Sequence, residues 1–450
     1  MSRDPVGAPW LERRIISSIR RLESRRDSVS SSGRRTFWLP PDRLDDRQIR
    51  VLVLLVSASL LSAFVNTLFT QTVAFAGDDL GVGDWGRGVA GTVVRMGIII
   101  GLPAAILADR IGRRRVVVTL AWAAPILASL GALAPNFPFL VATQTLSRPL
   151  GLALDLLVAV IAAEEMPRNS RAYAVSLLAM ANGLGAGVAV IALPLADVGS
   201  DGWRLVYALS LVWLFVAISI TRRLPETDRF SRQRRLRTSR TAAKVSAPDH
   251  RRRLAVQIAV AFFGNMLLSP ASFFQNSYLK DDRGFSAGMV SLFTIVTSAP
   301  AVLGLVIGGR VADRRGRRRV AVLCTPIGGF LIALSFATGS SLMWSSAILG
   351  GIFAAAAYPS LAVYRTELFA TSRRGLSGFV ILASALIGGS ISLLITGALA
   401  GSGVSYGPIM LALVFGPIAV SMIVLFTYPE TAHTELEELN PEDSILDRDD

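Results

Sequence analysis

The chain has 450 residues, 52% hydrophobic and 17% charged, with a formal net charge of +14 and a mean hydropathy of +0.51. That is too little charge for the surface of a soluble protein of this size, and its apolar runs reach the roughly 20 helical residues needed to cross a bilayer. One cysteine, Cys324, and two histidines, His250 and His433, argue against a Cys/His metal site. Neither Lys244 nor Lys280 stands in a Gly-x-x-x-x-Gly-Lys-Ser/Thr phosphate loop, which excludes an ATP-driven pump within the chain.

Residues 1–50 form a basic, polar segment without the apolar core and cleavage site of a signal peptide. Within it Leu11, Ile15, Ile19 and Leu22 share a helical face, with Arg13, Arg14, Arg20 and Arg21 largely opposite. This suits a helix lying on an anionic membrane surface, or a solvated tail. An N-terminal unit, 51–221, then holds apolar segments at about 51–75, 88–108, 116–135, 137–163, 172–196 and 203–221. A basic linker without apolar periodicity, 222–253, reads as a solvated connection. A C-terminal unit, 254–428, holds segments at about 254–278, 287–312, 320–338, 342–366, 376–400 and 406–428. The tail, 429–450, is acidic and either docks on the linker or simply aids solubility.

The predicted class is therefore an all-α polytopic membrane protein with 12 transmembrane helices. Arginines fill alternate loops: Arg110–Arg115, Arg168 and Arg171, the linker, Arg314–Arg319, and Arg373 with Arg374. The opposite loops carry only Arg87, Arg204, Lys280 and Arg283. By the positive-inside rule this predicts an inner-membrane protein with both termini cytoplasmic. The basic loops, pressed against the headgroups, favour anionic lipid over nucleic acid as their partner.

The two units repeat each other. Leu107–Arg115 reads LADRIGRRR and Val311–Arg319 reads VADRRGRRR, an offset of 204 residues. Glu164 to Arg171 matches Glu367 to Arg374 at 203, Pro225-Glu226-Thr227 matches Pro429-Glu430-Thr431 at 204, and Asp78-Asp79 matches Asp281-Asp282 at 203. A six-helix unit has been duplicated in parallel, because an even number of spans preserves topology.

From about Val51 to Thr431 the chain resembles the major facilitator superfamily, whose loop signature is Gly-x-x-x-Asp-Arg-x-Gly-Arg-Arg/Lys. The second copy, from Gly309 through Asp313, Arg314, Gly316 and Arg317, matches it fully. The first has Ala105 in the leading position and is complete through Asp109, Arg110, Gly112 and Arg113. Glu164-x-x-Pro-x-x-x-Arg171 and the Pro-Glu-Thr ends look like sugar and metabolite porters, although Ala370 replaces the proline in the second copy. The resemblance implies two six-helix bundles rocking around a central cavity that opens alternately to either side. It further implies that Asp109 meets the eleventh helix and Asp313 the fifth.

Topology alone accounts for most of the arginines but not for the aspartates. A carboxylate at the C-terminal end of its own helix opposes the dipole and needs another partner. Asp109 and Asp313, extended by Glu164 with Arg171 and Glu367 with Arg374, are expected to act as latches that close the cytoplasmic side. Their weight is a few kcal/mol at most, roughly. The full motif in the second copy makes Asp313 the more sensitive of the two.

Ionisable groups inside spans are costly and therefore candidate functional sites. Arg148 and Asp155, seven residues apart in the fourth segment, share a helix face. Arg95 lies in the second. None is duplicated: the matching positions are Gly351, Tyr358 and Ala299. Asp155 is read as a proton carrier balanced by Arg148, or as half of a static pair. Arg148-Pro-Leu-Gly151 resembles the fourth-helix motif of proton-coupled members, one residue shorter. Asn66, Gln71, Asn265, Gln275, Asn276, Tyr358 and Tyr364 complete the candidate cavity residues, each either a substrate ligand or interhelical glue. Helices 1, 4, 7 and 10 line the path in the resembled fold.

The resulting expectation is a monomeric carrier with no cofactor and no enzymatic activity, moving a small organic solute with protons. The alternatives are a multidrug/proton antiporter and a transporter-like sensor or accessory protein. The fifth segment, NGLGAGVAVIALPLAD, lacks the Gly-Pro-x-x-Gly-Gly element of drug antiporters.

Overall fold

The computed structural model describes residues 44–98, 101, 107–108, 111–167, 170–225, 248–367 and 374–430. The basic N-terminal segment up to 43, the middle of the linker, the tail beyond 430, Asp109 and Arg110 lie outside the described residues. So do the side chains of Arg171, Glu367 and Arg374.

The described chain is helical. The helices are α1 (Asp46–Asp79), α2 (Asp84–Met96, the described part of the second segment), α3 (Arg113–Leu133), α4 (Phe137–Glu165), α5 (Arg171–Ile191) and α6 (Gly202–Arg223). They continue with α7 (Pro248–Ser277), α8 (Ala287–Arg315), α9 (Arg317–Ala337), α10 (Ser340–Glu367), α11 (Arg374–Gly401) and α12 (Tyr406–Thr427). Among the described residues 11 helices are long and apolar enough to cross a membrane, close to the expected 12; the second segment is described in part. The main departure from the sequence boundaries is α7, which starts at Pro248, inside the expected linker.

Local chemistry sets the helix starts. The Gln48 side chain accepts the Asp45 N–H at 3.0 Å, and Asn136 Oδ1 accepts the Phe139 N–H at 2.9 Å, each satisfying a donor that the first turn leaves open. Gly112 and Gly316 take φ of 109° and 104° at the entrances of α3 and α9, a region that an L side chain rarely adopts. This gives the glycine of each repeated loop motif a backbone reason.

The repeat is visible in the packing. A Cβ on Gly185 of α5 would strike the Leu60 carbonyl of α1, and one on Gly388 of α11 would strike the Phe262 carbonyl of α7. Each half thus has a close backbone crossing between its first and fifth helices. Within Gly183-x-Gly-x-Gly187 only Gly185 is pressed in this way; the other two face open space. Each half also ties its last helix to its third. Arg114 donates to the carbonyls of Leu224 (2.6 Å) and Thr221 (2.8 Å), and Arg318 donates to that of Leu425. Thr221 and Leu425 are 204 residues apart, as are the two arginines.

The bonds joining the halves gather at one end, the acidic face, where Asp78-Asp79 ends α1 and Asp281-Asp282 ends the helical turn that follows α7. Arg87, 3% exposed, donates to Asp281 at 2.7 Å and to Ser277 Oγ at 3.4 Å across the divide. On its own side it meets Asp78, and Asp84 at 3.5 Å. Lys280 reaches back to Asp78. The Asp197 carboxylate, at the end of the fifth segment, accepts the N–H groups of Ala287 and Gly288 at 2.8 and 2.9 Å, capping α8 of the other half. Asn276 Nδ2 donates to the Gln71 carbonyl at 2.7 Å and to its Oε1 at 3.0 Å. Below them α2 lies directly on α11, where a Cβ on Gly88 would sit 2.9 Å from the Leu393 carbonyl.

Candidate functional site: a doubly cationic cavity between the halves

The α2–α11 contact ends at Arg95, whose guanidinium lies against the backbone of Gly389. On the other side, α2 approaches α4 through Gly97 and Gly101, where a Cβ would come within 2.7 Å of the Thr145 and Pro149 carbonyls. That approach brings Arg95 and Arg148 onto one cavity. Both line a cavity of about 320 Å³ together with Asn265 of α7 and residues 378–386 of α11. No carboxylate lines it among the described residues, and there neither guanidinium has a hydrogen bond or ion pair. Two unpaired cations in a membrane-spanning region are expensive. A bound anion would supply the missing partner through charge-assisted, bidentate bonds.

The expected balance between Asp155 and Arg148 does not form. Seven residues along a helix separate two side chains by about 10 Å axially, beyond ion-pair reach even on one face. Arg148 stands with Arg95, while Asp155 Oδ1 accepts the Ser59 hydroxyl at 2.9 Å, a group that also contacts the Leu178 carbonyl at 3.2 Å. Asp155 is half-buried between α1 and α4 and is not among the residues lining the arginine cavity.

The neutral candidates divide. Asn265 lies on the cavity. Asn66 is next to Gly151, with its Nδ2 3.4 Å from Ser62 Oγ and its Oδ1 buried without a partner. Gln71 and Asn276 bond to each other across the halves. Gln275 donates to Thr294 Oγ1 at 3.0 Å and lines a separate cavity of about 220 Å³ inside the C-terminal half. Tyr358, 60% exposed, lines a third cavity, which it shares with Asn265. Tyr364 belongs to none of these cavities: it is fully buried, its hydroxyl donates to the Pro429 carbonyl at 3.0 Å, and its ring packs 4.5 Å from that of Tyr428. It supports the segment that follows α12.

At the basic face Asp313 is 72% exposed with Arg317 at 3.8 Å, and Arg314 is exposed. Glu164, expected to meet Arg171, forms an ion pair with Arg113 of the loop motif. Three functional-looking features escaped the sequence reading. Glu430 of the second Pro-Glu-Thr caps α9, accepting the N–H groups of Arg317 at 2.8 Å and Arg318 at 3.2 Å. The Arg87 network and the Asp197 cap close the acidic face. The clue to the network was available, since Arg87 and Lys280 are exceptions to the arginine pattern.

This architecture, two packed six-helix repeats with charged groups facing a cavity at their junction, is that of a polytopic solute carrier. A family model described as Major Facilitator Superfamily matches residues 52–274 and 254–445. The chain belongs to the major facilitator superfamily and is an integral membrane solute transporter, not an enzyme. It is 25% identical over 372 residues to a "Probable 4-methylmuconolactone transporter" of Cupriavidus pinatubonensis, covering 79% of this chain and 85% of that one. It is 24% identical to a "Gentisate transporter" of Corynebacterium glutamicum over 255 residues, 55% of this chain and 57% of the other. Among solved structures, the inward open xylose transporter XylE of E. coli superposes with a TM-score of 0.69 at 15% identity, covering 88% of this chain and 99% of that one. An inward-facing bacterial homolog of the human lysosomal transporter Spinster gives 0.64 at 16% identity, covering 89% and 99%.

Proposed function

We propose that this protein carries a small organic anion across the cytoplasmic membrane by alternating access, coupled to protons, and that the present conformation is the inward-facing one. The observation that carries the reading is the pair of guanidiniums, Arg95 and Arg148, without partners among the described residues, on a cavity between the halves. A cationic drug has no counter-charge there, so the pair favours an anion over the antiporter alternative. The named solutes of the two relatives, 4-methylmuconolactone and gentisate, support an organic ligand, and the second name is that of a carboxylate.

The basic face is the cytoplasmic one in this reading, with both termini there and its loops on anionic headgroups. The carrier works as a monomer. The acidic-face network is then the closed outer gate, and the exposed Asp313 is an inner latch already released. In the outward-facing state Asp109 and Asp313 would each meet the other half. Asp155, bonded only to a hydroxyl, is the proton carrier: it can gain a proton without breaking an ion pair, while Ser59 turns fully to the Leu178 carbonyl.

Uptake of a labelled organic acid into proteoliposomes tests the coupling. Asp155→Asn should abolish uptake driven by a pH gradient yet preserve exchange; full gradient-driven uptake would exclude Asp155. Asp313→Asn should increase thiol labelling from the basic face, because only the outward-facing state loses a contact. Labelling equal to that of the parent protein would remove the latch.

A further inference from the structure

Asn265 stands in the wall of two cavities. One is the arginine cavity. The other, about 300 Å³, lies inside the C-terminal half between α7, α9, α10 and α12. Its surface is mostly apolar, from Leu268, Ile332, Leu361 and Val420, with Tyr358 on the same lining. Its polar side chains are Asn265, Thr325 and Tyr358, and Thr325 already spends its hydroxyl on the Ala321 carbonyl at 2.6 Å. A cationic chamber and an apolar chamber therefore meet at one amide.

Two matching positions of the N-terminal half carry bulkier side chains. The positions 204 residues before Gly329 and Pro417, which line the apolar chamber, are Pro125 and Trp213. The Trp213 ring packs 5.5 Å from Phe64, and Pro125 is buried in α3. Gly329 and Pro417 of the hollow are thus not repeated in the N-terminal half, just as Arg95 and Arg148 are not repeated in the C-terminal one.

We propose that the transported anion is bipartite: its acidic group binds Arg95 and Arg148, and an apolar ring or chain passes Asn265 into the C-terminal chamber, which sets specificity. This rests on the arginine cavity being the substrate site. A polyhydroxylated acid of equal size is rejected, since its hydroxyls would leave water for a wall with few partners. The two chambers, each near the lower limit for ligand pockets, suit a solute of one ring.

A matched pair of ring acids tests this: cyclohexanecarboxylate, and quinate, which carries hydroxyls on the same ring. Each is titrated calorimetrically into the purified full-length protein in lipid nanodiscs. Cyclohexanecarboxylate is expected to bind at least about tenfold more tightly, the scale of a well-used apolar subsite. Gly264→Leu fills the chamber from α7, where a Cβ meets only Val420 at 3.8 Å, and Thr325→Leu fills it from α9. Each should bring the ratio close to one by weakening cyclohexanecarboxylate, with the ligand-free melting temperature confirming the fold. A ratio unchanged in both filled variants, while Arg148→Gln abolishes binding, overturns the chamber and leaves the arginine site standing. Binding of both acids that survives Arg148→Gln and Arg95→Gln overturns the arginine site itself. If neither filled variant folds, the parent protein decides: quinate binding as tightly as cyclohexanecarboxylate overturns the proposal.

Discussion

The two halves are copies in plan and opposites in content. Both keep the glycine turn at the loop motif, the arginine clamp on the last helix and the close glycine crossing of their first and fifth helices. The N-terminal half adds charge, Arg95, Arg148 and Asp155, and packs Trp213 against Phe64 where the C-terminal half has Pro417. The C-terminal half has Ala299, Gly351 and Tyr358 at the matching charged positions and is hollow beside Asn265. The glycine turn, the arginine clamp and the glycine crossing are found twice and serve the scaffold; Arg95 and Arg148 are found once and, in the proposed reading, hold the solute. The contrast follows from duplication, since each copy needs the same folding contacts while a site at their junction needs them only once.

The largest effect is expected at an unduplicated residue outside the cavity. Arg87→Gln leaves Asp78, Asp84 and Asp281 without their central cation, a loss of about 3 kcal/mol, the low end for a buried pair because the carboxylates are partly exposed and Lys280 still pairs with Asp78. It should open the acidic face, read as thiol labelling of Gln71→Cys in a Cys324→Ser background. Unchanged labelling would mean that the helix contacts alone hold the halves together. Next, Arg148→Gln should lower uptake on the order of 100-fold at normal membrane levels, equivalent to about 2.7 kcal/mol, with Arg148→Lys intermediate. An equal loss in Arg114→Gln, a clamp residue, would erase the distinction between scaffold and site.

Comparing the copies directly sharpens the contrast. Gly112→Ala and Gly316→Ala should each cost about 1–2 kcal/mol for the strained φ. Gly316→Ala should cost more, because its Cβ would lie 2.5 Å from the Glu430 carboxylate. Thermal unfolding in detergent checks the order, and equal midpoints would place the Glu430 cap in doubt. The smallest change is Glu430→Gln, which weakens one helix cap by about 0.5–1 kcal/mol, visible in melting but not in uptake.

The twelve spans were legible in the sequence because hydropathy, arginine placement and the 204-residue offset each report on a single segment or on a repeat. The meeting of Arg95 and Arg148 was not, since it depends on the close approach of α2 to α4 at Gly97 and Gly101. Two glycines among 39 carry no mark of that contact. The Asp155–Arg148 pairing failed for the opposite reason: spacing placed them on one face, but depth in the membrane kept them apart. Glu430 read as part of an acidic tail because its partners are backbone N–H groups, which have no signature in the side-chain sequence. Arg87 and Lys280 stood out as breaks in a charge rule, and such breaks mark places where a cation has work other than topology.

The central claim is that two arginines without partners among the described residues hold the acidic group of the solute. Its most direct test is a calorimetric titration of the full-length protein in nanodiscs with benzoate and with benzamide, which has the same ring and shape but no charge. The account predicts saturable binding of benzoate, no binding of benzamide, and loss of the benzoate signal in both Arg95→Gln and Arg148→Gln. Benzamide binding as well as benzoate, or benzoate binding that persists without either arginine, would contradict it.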